Sequence, residues 1–146
     1  MNIAIDPGTT HSAFVQYHNG KVIDHGHFPN AEIRQVLIGR EYDRCAVEMI
    51  ASYGMAVGSS TFETCVWIGR FIEVARVDVE LIFRKDIKLF LCGTMRAKDA
   101  NIRQALIDLI GPQGTKKTPG PTYGIKSHTW AALAVAVYAA QNNKGK

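Results

Sequence analysis

The fold is decided by one stretch near the start of the chain, which reads Asn2-Ile3-Ala4-Ile5-Asp6-Pro7-Gly8-Thr9-Thr10-His11-Ser12-Ala13-Phe14-Val15-Gln16-Tyr17. A short apolar run ends in a carboxylate and a Pro-Gly turn, and a second run rich in β-forming residues follows. This pattern predicts a β-hairpin with Asp6 at the tip of its first strand. A carboxylate held there, beside the N–H groups and hydroxyls of the turn, can bind a metal or a phosphate. The motif alone equally allows Asp6 to be a turn former.

Length and composition indicate one α/β domain spanning residues 1–146. The chain has 146 residues, of which 47% are hydrophobic, enough for one core and too few for two. No apolar run approaches the roughly 20 residues that cross a bilayer, and the first residues do not resemble a secretory signal. Cys45, Cys65 and Cys92 are too far apart for a zinc clip. We therefore expect a cytoplasmic protein with reduced thiols and no membrane contact.

The positive charge of the chain is concentrated in its second half. The net charge is +4, and after Asp108 the sequence contains five lysines and no acidic residue. A basic region of this kind suits a phosphate backbone as partner. Ordinary solubilising lysines are the alternative, because +4 is a modest charge.

Beyond the first hairpin, turn signals and hydrophobic periodicity predict alternating strands and helices. The predicted elements are strands at 21–28, 43–48 and 77–83, and helices at 31–38, 60–75, 85–91, 97–110 and 127–141. Ser60 and Glu63 fit a capping box at the start of the second helix, along which Cys65, Ile68 and Ile72 lie at helical spacing and predict its buried face. The segment 113–124 is rich in Gly, Pro, Thr and Lys and predicts a mobile surface loop that is too polar to pack. The last helix is nearly all apolar and should be buried.

Two carboxylates, Asp6 and Glu48, end two of the predicted strands. If those strands are neighbours, the carboxylates meet at one edge of the sheet, and their repulsion requires a cation or a proton between them. A hard divalent ion with oxygen ligands satisfies that requirement. His128, in the first turn of the last helix, is the candidate third ligand, although an isolated histidine is more often a plain core or surface residue.

Four segments carry a family resemblance, and they read Ile3-Ala4-Ile5-Asp6-Pro7-Gly8-Thr9-Thr10, Ala46-Val47-Glu48, Gly93 followed by Ala97-Lys98-Asp99-Ala100-Asn101-Ile102, and Ser127-His128-Thr129-Trp130-Ala131-Ala132-Leu133-Ala134-Val135-Ala136. In this order they resemble the RuvC-type Holliday junction resolvases, most closely the phage-encoded branch. The resemblance implies an RNase H-like fold with a mixed five-stranded sheet flanked by helices. It also implies a homodimeric endonuclease that nicks two opposed strands of a four-way DNA junction. A phage enzyme of this kind would act in the cytoplasm of its bacterial host.

The resemblance also implies roles for individual residues. Asp6 and Glu48 correspond to metal-binding carboxylates, and His128 falls where the last motif carries an acid or, in some members, a histidine. Lys98 lies, with a gap of one residue, near a basic residue that contacts the scissile phosphate. Ala131 stands where the family usually has a second acid. That difference leaves open one tight and one loose metal, a ligand from the substrate or another side chain, or a chain that binds junctions and cuts them poorly.

The chemistry expected of this set is metal-dependent phosphodiester hydrolysis with Mg²⁺ or Mn²⁺, the imidazole favouring Mn²⁺. His128 could instead act as a general base. The candidate DNA-binding residues are Arg96, Lys98, Arg103, Lys116, Lys117, Lys126 and Tyr53. Tyr53 and Phe62 could wedge against unstacked bases, with core packing as the alternative, more so for Phe62. The dimer is predicted to use the helix at 60–75 through Phe62, Trp67 and Phe71.

Three functions remain open from the sequence. The first is a metal-dependent nuclease that resolves four-way junctions, acting through Asp6, Glu48 and His128. The second is a junction-binding module that has lost cleavage together with the acid replaced by Ala131. The third is another RNase H-like nuclease, acting for example on RNA–DNA hybrids.

Overall fold

The structure, a computed structural model, describes residues 1–142 and consists of one mixed sheet with helices on both faces. The elements are β1 (Asn2–Asp6), β2 (His11–His18), β3 (Lys21–Pro29), α1 (Asn30–Gly39), β4 (Arg44–Met49), α2 (Ser59–Val74), β5 (Val79–Phe83), α3 (Arg84–Cys92), α4 (Asp99–Ile110) and α5 (His128–Asn142). The strand order is β3-β2-β1-β4-β5. This arrangement confirms the predicted α/β fold with a mixed five-stranded sheet.

The centre of the sheet positions the two predicted carboxylates. β1 pairs antiparallel with β2, and on its other side it pairs parallel with β4. The β1–β4 register places Ile5 opposite Val47, so Asp6 and Glu48 follow as neighbours at the carboxyl ends of both strands. Both faces of β1 are covered, which explains why Ile3, Ala4 and Ile5 read as one apolar run.

Helix α5 fills the core on one face of the sheet. Leu133, Val135 and Val137 are fully buried, and the alanines between them are buried as well. Small residues let the helix lie close to β1 and β2, so most of its circumference contacts protein. The prediction of a buried last helix is confirmed. On the opposite face, α1 and α2 cover a second cluster built on Ile3, Ile5 and Phe14.

Helix α2 differs from the prediction at its start and in its buried face. It begins at Ser59 with Gly58 as N-cap and without a side-chain cap, so the capping box of Ser60 and Glu63 is wrong. The helix starts early enough to place Ser60 inside the first turn, where its carbonyl accepts a hydrogen bond from Thr64 Oγ1 at 2.9 Å. Its buried residues are Thr64, Ile68 and Phe71, whereas the sequence predicted Cys65, Ile68 and Ile72.

The aromatic residues of α2 divide between core and surface. Phe71 is fully buried between α2 and the sheet, so it cannot belong to a dimer surface. Trp67 packs partly against the same core. Phe62 is 62% exposed, so the core-packing alternative is wrong for it. Val66 and Ile72 are the other large apolar residues that α2 exposes.

The segment 113–124 packs more closely than its polarity predicted. Thr122 is fully buried and donates a hydrogen bond from Oγ1 to the carbonyl of Gly111 at 2.8 Å. Gln113 Nε2 donates to the carbonyl of Ile125 at 2.7 Å. The expectation that the segment is too polar to pack is wrong, because its polar groups bond to the chain on either side of it. Its mobility stays a prediction.

Two further expectations concern cysteine and the membrane. Cys45, Cys65 and Cys92 are free thiols; the first is buried and the others are partly buried. Burial raises the pKa of the Cys45 thiol to about 12, which makes it unreactive near neutral pH. Within residues 1–142, no helix combines the length and apolar character needed to span a bilayer.

Candidate functional site

The turn that follows Asp6 is held by a buried hydrogen-bond network. The N–H of Gly8 donates to Ser12 Oγ at 3.0 Å, and Ser12 Oγ donates to Asn30 Oδ1 at 2.5 Å. Asn30 Nδ2 in turn donates a hydrogen bond to the carbonyl oxygen of Gly8 at 2.9 Å. A Cβ at Gly8 would lie 2.3 Å from the carbonyl oxygen of His11, so only glycine fits there. The turn is therefore rigid, and it fixes the end of β1 where Asp6 lies.

Asp6 and Glu48 lie together at the carboxyl ends of β1 and β4. The Asp6 residue is only 8% exposed, and the Glu48 side chain is also largely covered. Burial raises the pKa of Asp6 to about 8, and the charge of Glu48 and a hydrogen bond with it add to the increase. A carboxyl pair in this environment is stable with a shared proton or with a cation beside it. The structure thus brings together the two acids on which the sequence prediction depends.

His128 joins this pair from the first position of α5. Its Nδ1 lies 3.1 Å from Asp6 Oδ2, while 66% of its side chain is exposed. Ser127, predicted near the start of this helix, precedes it with a φ of 51°. His128 therefore reaches Asp6 directly and has a face open to solvent, as a proton carrier or metal ligand requires.

Two charged residues that sequence reasoning did not assign to the site, Arg84 and Asp99, lie beside Glu48. Arg84 Nη1 is 3.1 Å from Glu48 Oε1, and Nη2 of the same guanidinium pairs with Asp99 Oδ1. In the β4–β5 register Met49 is opposite Phe83, so Arg84 follows directly at the edge where Glu48 ends. A sequence reading that placed β5 beside β4 could have found it. Asp99 stands at the first position of α4.

A cavity of about 510 Å³ opens in front of these groups. Its lining residues are Asp6, Arg84, Asp99, Ala100, Ile102, Arg103, Ser127, His128, Trp130 and Ala131. We call it the charged cavity. Ala131 lies on its wall, so the position that usually carries a second acid in the resembling family faces the cavity with a methyl group. Arg103, predicted as a DNA contact, lines the cavity as well.

A second depression of about 540 Å³ lies on the other side of Asp6. It is lined by Asp6, Pro7, Gly8, Thr9, Thr10, His11, His27 and His128, and we call it the histidine groove. The rings of His11 and His27 are stacked with centroids 5.6 Å apart, and those of His27 and His128 are 5.4 Å apart. Partial burial lowers the pKa of His27, and the neighbouring His128 and His11 lower it further.

The remaining predicted DNA-binding residues are exposed, and most of them lie outside the charged cavity. Lys98 is the N-cap residue of α4, where its N–H donates to Asn101 Oδ1 at 2.9 Å. Lys98 and Arg96 are not among the residues that line the charged cavity within the described chain. Lys116 and Lys117 lie in the segment 113–124, and Lys126 precedes α5.

Tyr53 lies near Glu48, in the connection between β4 and α2. It is 61% exposed and has a φ of 51°. Together with Glu48 and Arg84 it lines a smaller cavity of about 240 Å³. The core-packing alternative is therefore wrong for Tyr53 also, and its ring is exposed close to the acids, with Lys85 Nζ 5.9 Å from the ring centroid.

The side chains at this site are of the kind that binds a divalent ion, but they are not arranged as a complete metal site. Buried carboxylate oxygens from Asp6 and Glu48 are the hard ligands that Mg²⁺ or Mn²⁺ takes. Those oxygens are in contact with His128 and Arg84, respectively. Among residues 1–142, no group of three or more acidic, histidine or cysteine side chains has the arrangement of a metal site.

Comparison with known proteins supports the fold. No protein-family model matches the sequence, and no curated protein matches it. Among solved structures the chain is similar to RuvC of Thermus thermophilus, with a TM-score of 0.65 and 19% identity, covering 97% of this chain and 96% of that one. T. thermophilus RuvC in complex with a Holliday junction substrate gives the same TM-score and identity, with coverage of 97% and 95%. This likeness confirms the predicted RNase H-like fold.

Proposed function

We propose that this chain is a divalent-metal endonuclease that resolves four-way DNA junctions by paired nicks. The observation that carries the proposal is the buried Asp6–Glu48 pair at two adjacent strand ends, with His128 Nδ1 3.1 Å from Asp6. The fold supports the choice of substrate, because one of the structures it resembles is a RuvC bound to a Holliday junction substrate. The phage-encoded branch of that family remains our assignment from sequence motifs.

The residues of the site divide the work of hydrolysis. Asp6 and Glu48 would hold Mg²⁺ or Mn²⁺, and the bound ion would supply an activated water and neutralise charge on the leaving oxygen. His128 orients Asp6 through their hydrogen bond, and its exposed ring can take a proton from the attacking water. Arg103 and Arg84 line the charged cavity and provide positive charge for the scissile phosphate.

Exposed basic and aromatic residues around the site would hold the DNA. Phosphate contacts come from Arg96, Lys98, Arg103, Lys116, Lys117 and Lys126. Such contacts fix the position of the backbone and do not read bases. Tyr53, exposed beside Glu48 and Arg84, is positioned to stack on an unpaired base at the junction centre. Lys98, the N-cap residue of α4, would contact the scissile phosphate, as the family resemblance implies.

A second copy of the chain would supply the second nick. Phe62 and Val66 expose apolar surface on α2. An exposed apolar stripe on a helix suits burial against a symmetric partner. We propose that two copies form a homodimer through this surface, with one charged cavity for each of the two opposed strands.

The test is cleavage of a synthetic four-way junction with Mg²⁺ or Mn²⁺ by the purified protein and by Asp6→Asn. We expect paired nicks from the parent and a loss of at least about 100-fold for the variant, because removing metal binding removes several kcal/mol of transition-state stabilisation. Asp108→Asn, the same change at an exposed position of α4, is the matched control. Equal cleavage by the parent and Asp6→Asn contradicts the proposal.

Substrate competition distinguishes the proposed nuclease from other RNase H-like enzymes. The labelled junction is mixed with an excess of linear duplex or of an RNA–DNA hybrid of the same length. We expect neither competitor to slow junction cleavage as strongly as unlabelled junction does. Preferential cleavage of the hybrid would identify a different RNase H-like nuclease.

Ala131 favours one second candidate, a module that binds junctions without cutting them. Its methyl group lies on the wall of the charged cavity, where a further carboxylate would complete the ligand set. This candidate predicts tight, salt-sensitive junction binding and no product with any divalent ion. Appearance of cleavage only in Ala131→Asp would support it, and cleavage by the parent would exclude it.

A further inference from the structure

Arg84 bridges two acids at the charged cavity, one of which is the proposed metal ligand Glu48. Its guanidinium contacts Glu48 from β4 through Nη1 and Asp99 from α4 through Nη2. It is partly buried, and its positive charge also acts on Asp6, where it opposes the pKa increase caused by burial and Glu48. One cation therefore links the ends of three elements that converge on the charged cavity.

The charges around Arg84 do not balance. Asp6, Glu48 and Asp99 supply three carboxylates against its single guanidinium. Arg103 lines the same cavity, but within residues 1–142 the ion pairs of Glu48 and Asp99 are made with Arg84. When all three acids are ionised, they outnumber Arg84 and Arg103 by one charge, so the site keeps a net negative charge that favours a further cation.

A divalent ion bound to Glu48 would lie beside the guanidinium that pairs with Glu48 Oε1, and because like charges repel, the two cations compete for this carboxylate. We propose that Arg84 is a built-in counter-cation that stabilises the metal-free site and releases Glu48 when a divalent ion binds. Asp99 keeps the released guanidinium at the cavity wall. The inference rests on the proposed metal-binding role of Asp6 and Glu48, and it assigns to Arg84 control over how much metal the site requires.

Competition of this kind has a thermodynamic signature that does not depend on DNA. Whatever stabilises the metal-free state weakens metal binding by the same factor. A partly exposed ion pair of this type contributes on the order of a fivefold change in an equilibrium constant. Removal of Arg84 should therefore tighten Mn²⁺ binding about fivefold and lower the melting temperature in EDTA.

The experiment is calorimetric titration of the full chain with Mn²⁺, combined with thermal unfolding in EDTA and in saturating Mn²⁺. Arg84→Gln is compared with Arg103→Gln, which removes the same charge from the same cavity without breaking the pair with Glu48. We expect tighter Mn²⁺ binding, a lower melting temperature in EDTA and a larger increase with Mn²⁺ for Arg84→Gln. Arg103→Gln should change Mn²⁺ affinity by less than about twofold.

A second variant keeps the test decisive if Arg84→Gln does not fold in EDTA. Arg84→Lys retains the charge but cannot bridge both acids, so its Mn²⁺ affinity should fall between those of the parent and Arg84→Gln. Arg84 variants that bind Mn²⁺ no more tightly than Arg103→Gln overturn the inference, and so does absence of binding in all of them. Binding by Arg84→Gln where the parent shows none supports it.

Failure of this inference is distinguishable from failure of the proposed function. If the parent cleaves junctions and the Arg84 variants bind Mn²⁺ with the same affinity as the Arg103 variant, the nuclease function is supported and the counter-cation role is wrong. If Arg84→Gln shows the expected Mn²⁺ affinity and melting temperatures but neither the parent nor any variant cuts DNA, the counter-cation role is supported and the nuclease function is wrong.

Discussion

The charged cavity and the histidine groove share Asp6 and His128 but are built from opposite kinds of side chain. In the cavity, Arg84 bridges Glu48 and Asp99, and the charges are paired across three elements. In the groove, imidazole rings stack on one another beside a rigid turn. Charged side chains that can change their ion-pair partners suit the binding of metal ions and phosphates, whereas stacked rings offer a flat surface for contact with a ligand. From this difference we expect hydrolysis in the cavity and contact with a DNA strand in the groove.

The two regions also differ in what holds them. Three polar side chains of the cavity lie at the starts of helices, Arg84 in α3, Asp99 in α4 and His128 in α5. The groove lies over the β1–β2 turn, which the buried Asn30 network fixes. Side chains at helix starts can exchange partners without moving the sheet, while the turn cannot move without breaking buried hydrogen bonds. Asp6 lies between the charged cavity, whose side chains can change partners, and the histidine groove, whose turn is fixed.

The largest expected effect separates the two regions by their influence on cleavage. Glu48→Gln should lower junction cleavage at least about 100-fold, because it removes a charged metal ligand from the cavity. His27→Ala should lower it less than about 10-fold, because the ring contacts no acid of the site. Single-turnover cleavage at saturating Mn²⁺ measures both. A loss for His27→Ala as large as that for Glu48→Gln would show that the groove takes part in the chemistry.

The next effect tests whether the turn under the groove is rigid. Asn30→Ala removes two buried hydrogen bonds and leaves the Gly8 carbonyl without its partner. The free energy of unfolding should fall by about 2 kcal/mol, measured by urea denaturation. Gln35→Ala, at an exposed position of the same helix, is the control and should change it by less than about 0.5 kcal/mol. Equal stabilities would mean that the network does not hold the turn.

A smaller effect concerns DNA binding by the groove. The double change His11→Ala and His27→Ala should weaken junction binding about fivefold at fixed salt, because it removes two stacked rings. His18→Ala, at the opposite end of β2, is the matched control and should leave affinity unchanged. Fluorescence anisotropy with a cleavage-blocked junction in Ca²⁺ is the measurement. Affinity that is equal in all three proteins would exclude the groove from the binding surface.

Sequence reasoning reached the part of the site that the sheet alone determines. Asp6 and Glu48 each end an apolar run, and the parallel pairing of β1 with β4 brings such ends together. The likeness to RuvC also confirms the fold that the motifs implied. His128 was placed correctly beside Asp6 because it opens a helix whose buried face follows from its composition.

The rest depends on pairings that have no local signal. Arg84 meets Glu48 only because β5 lies beside β4, and His11 meets His27 only across the β2–β3 register. The capping box of Ser60 and Glu63 failed because the helix starts at Ser59, and a shift of one residue changes which side chain can cap it. These contacts arise from the alignment of distant elements, so composition and spacing could not specify them.

The smallest expected effect lies outside both regions. Lys116 and Lys117 are exposed in the segment 113–124 and line neither the charged cavity nor the histidine groove within the described residues. Changing both to alanine should lower the slope of log affinity against log salt by about two, one for each phosphate contact. Single-turnover cleavage at saturating junction should stay within about twofold of the parent, since these contacts position DNA and do not touch the reacting phosphate. A larger fall in cleavage would mean that the segment reaches into the cavity when DNA is bound, and the division between chemistry and strand contact would then have to include it.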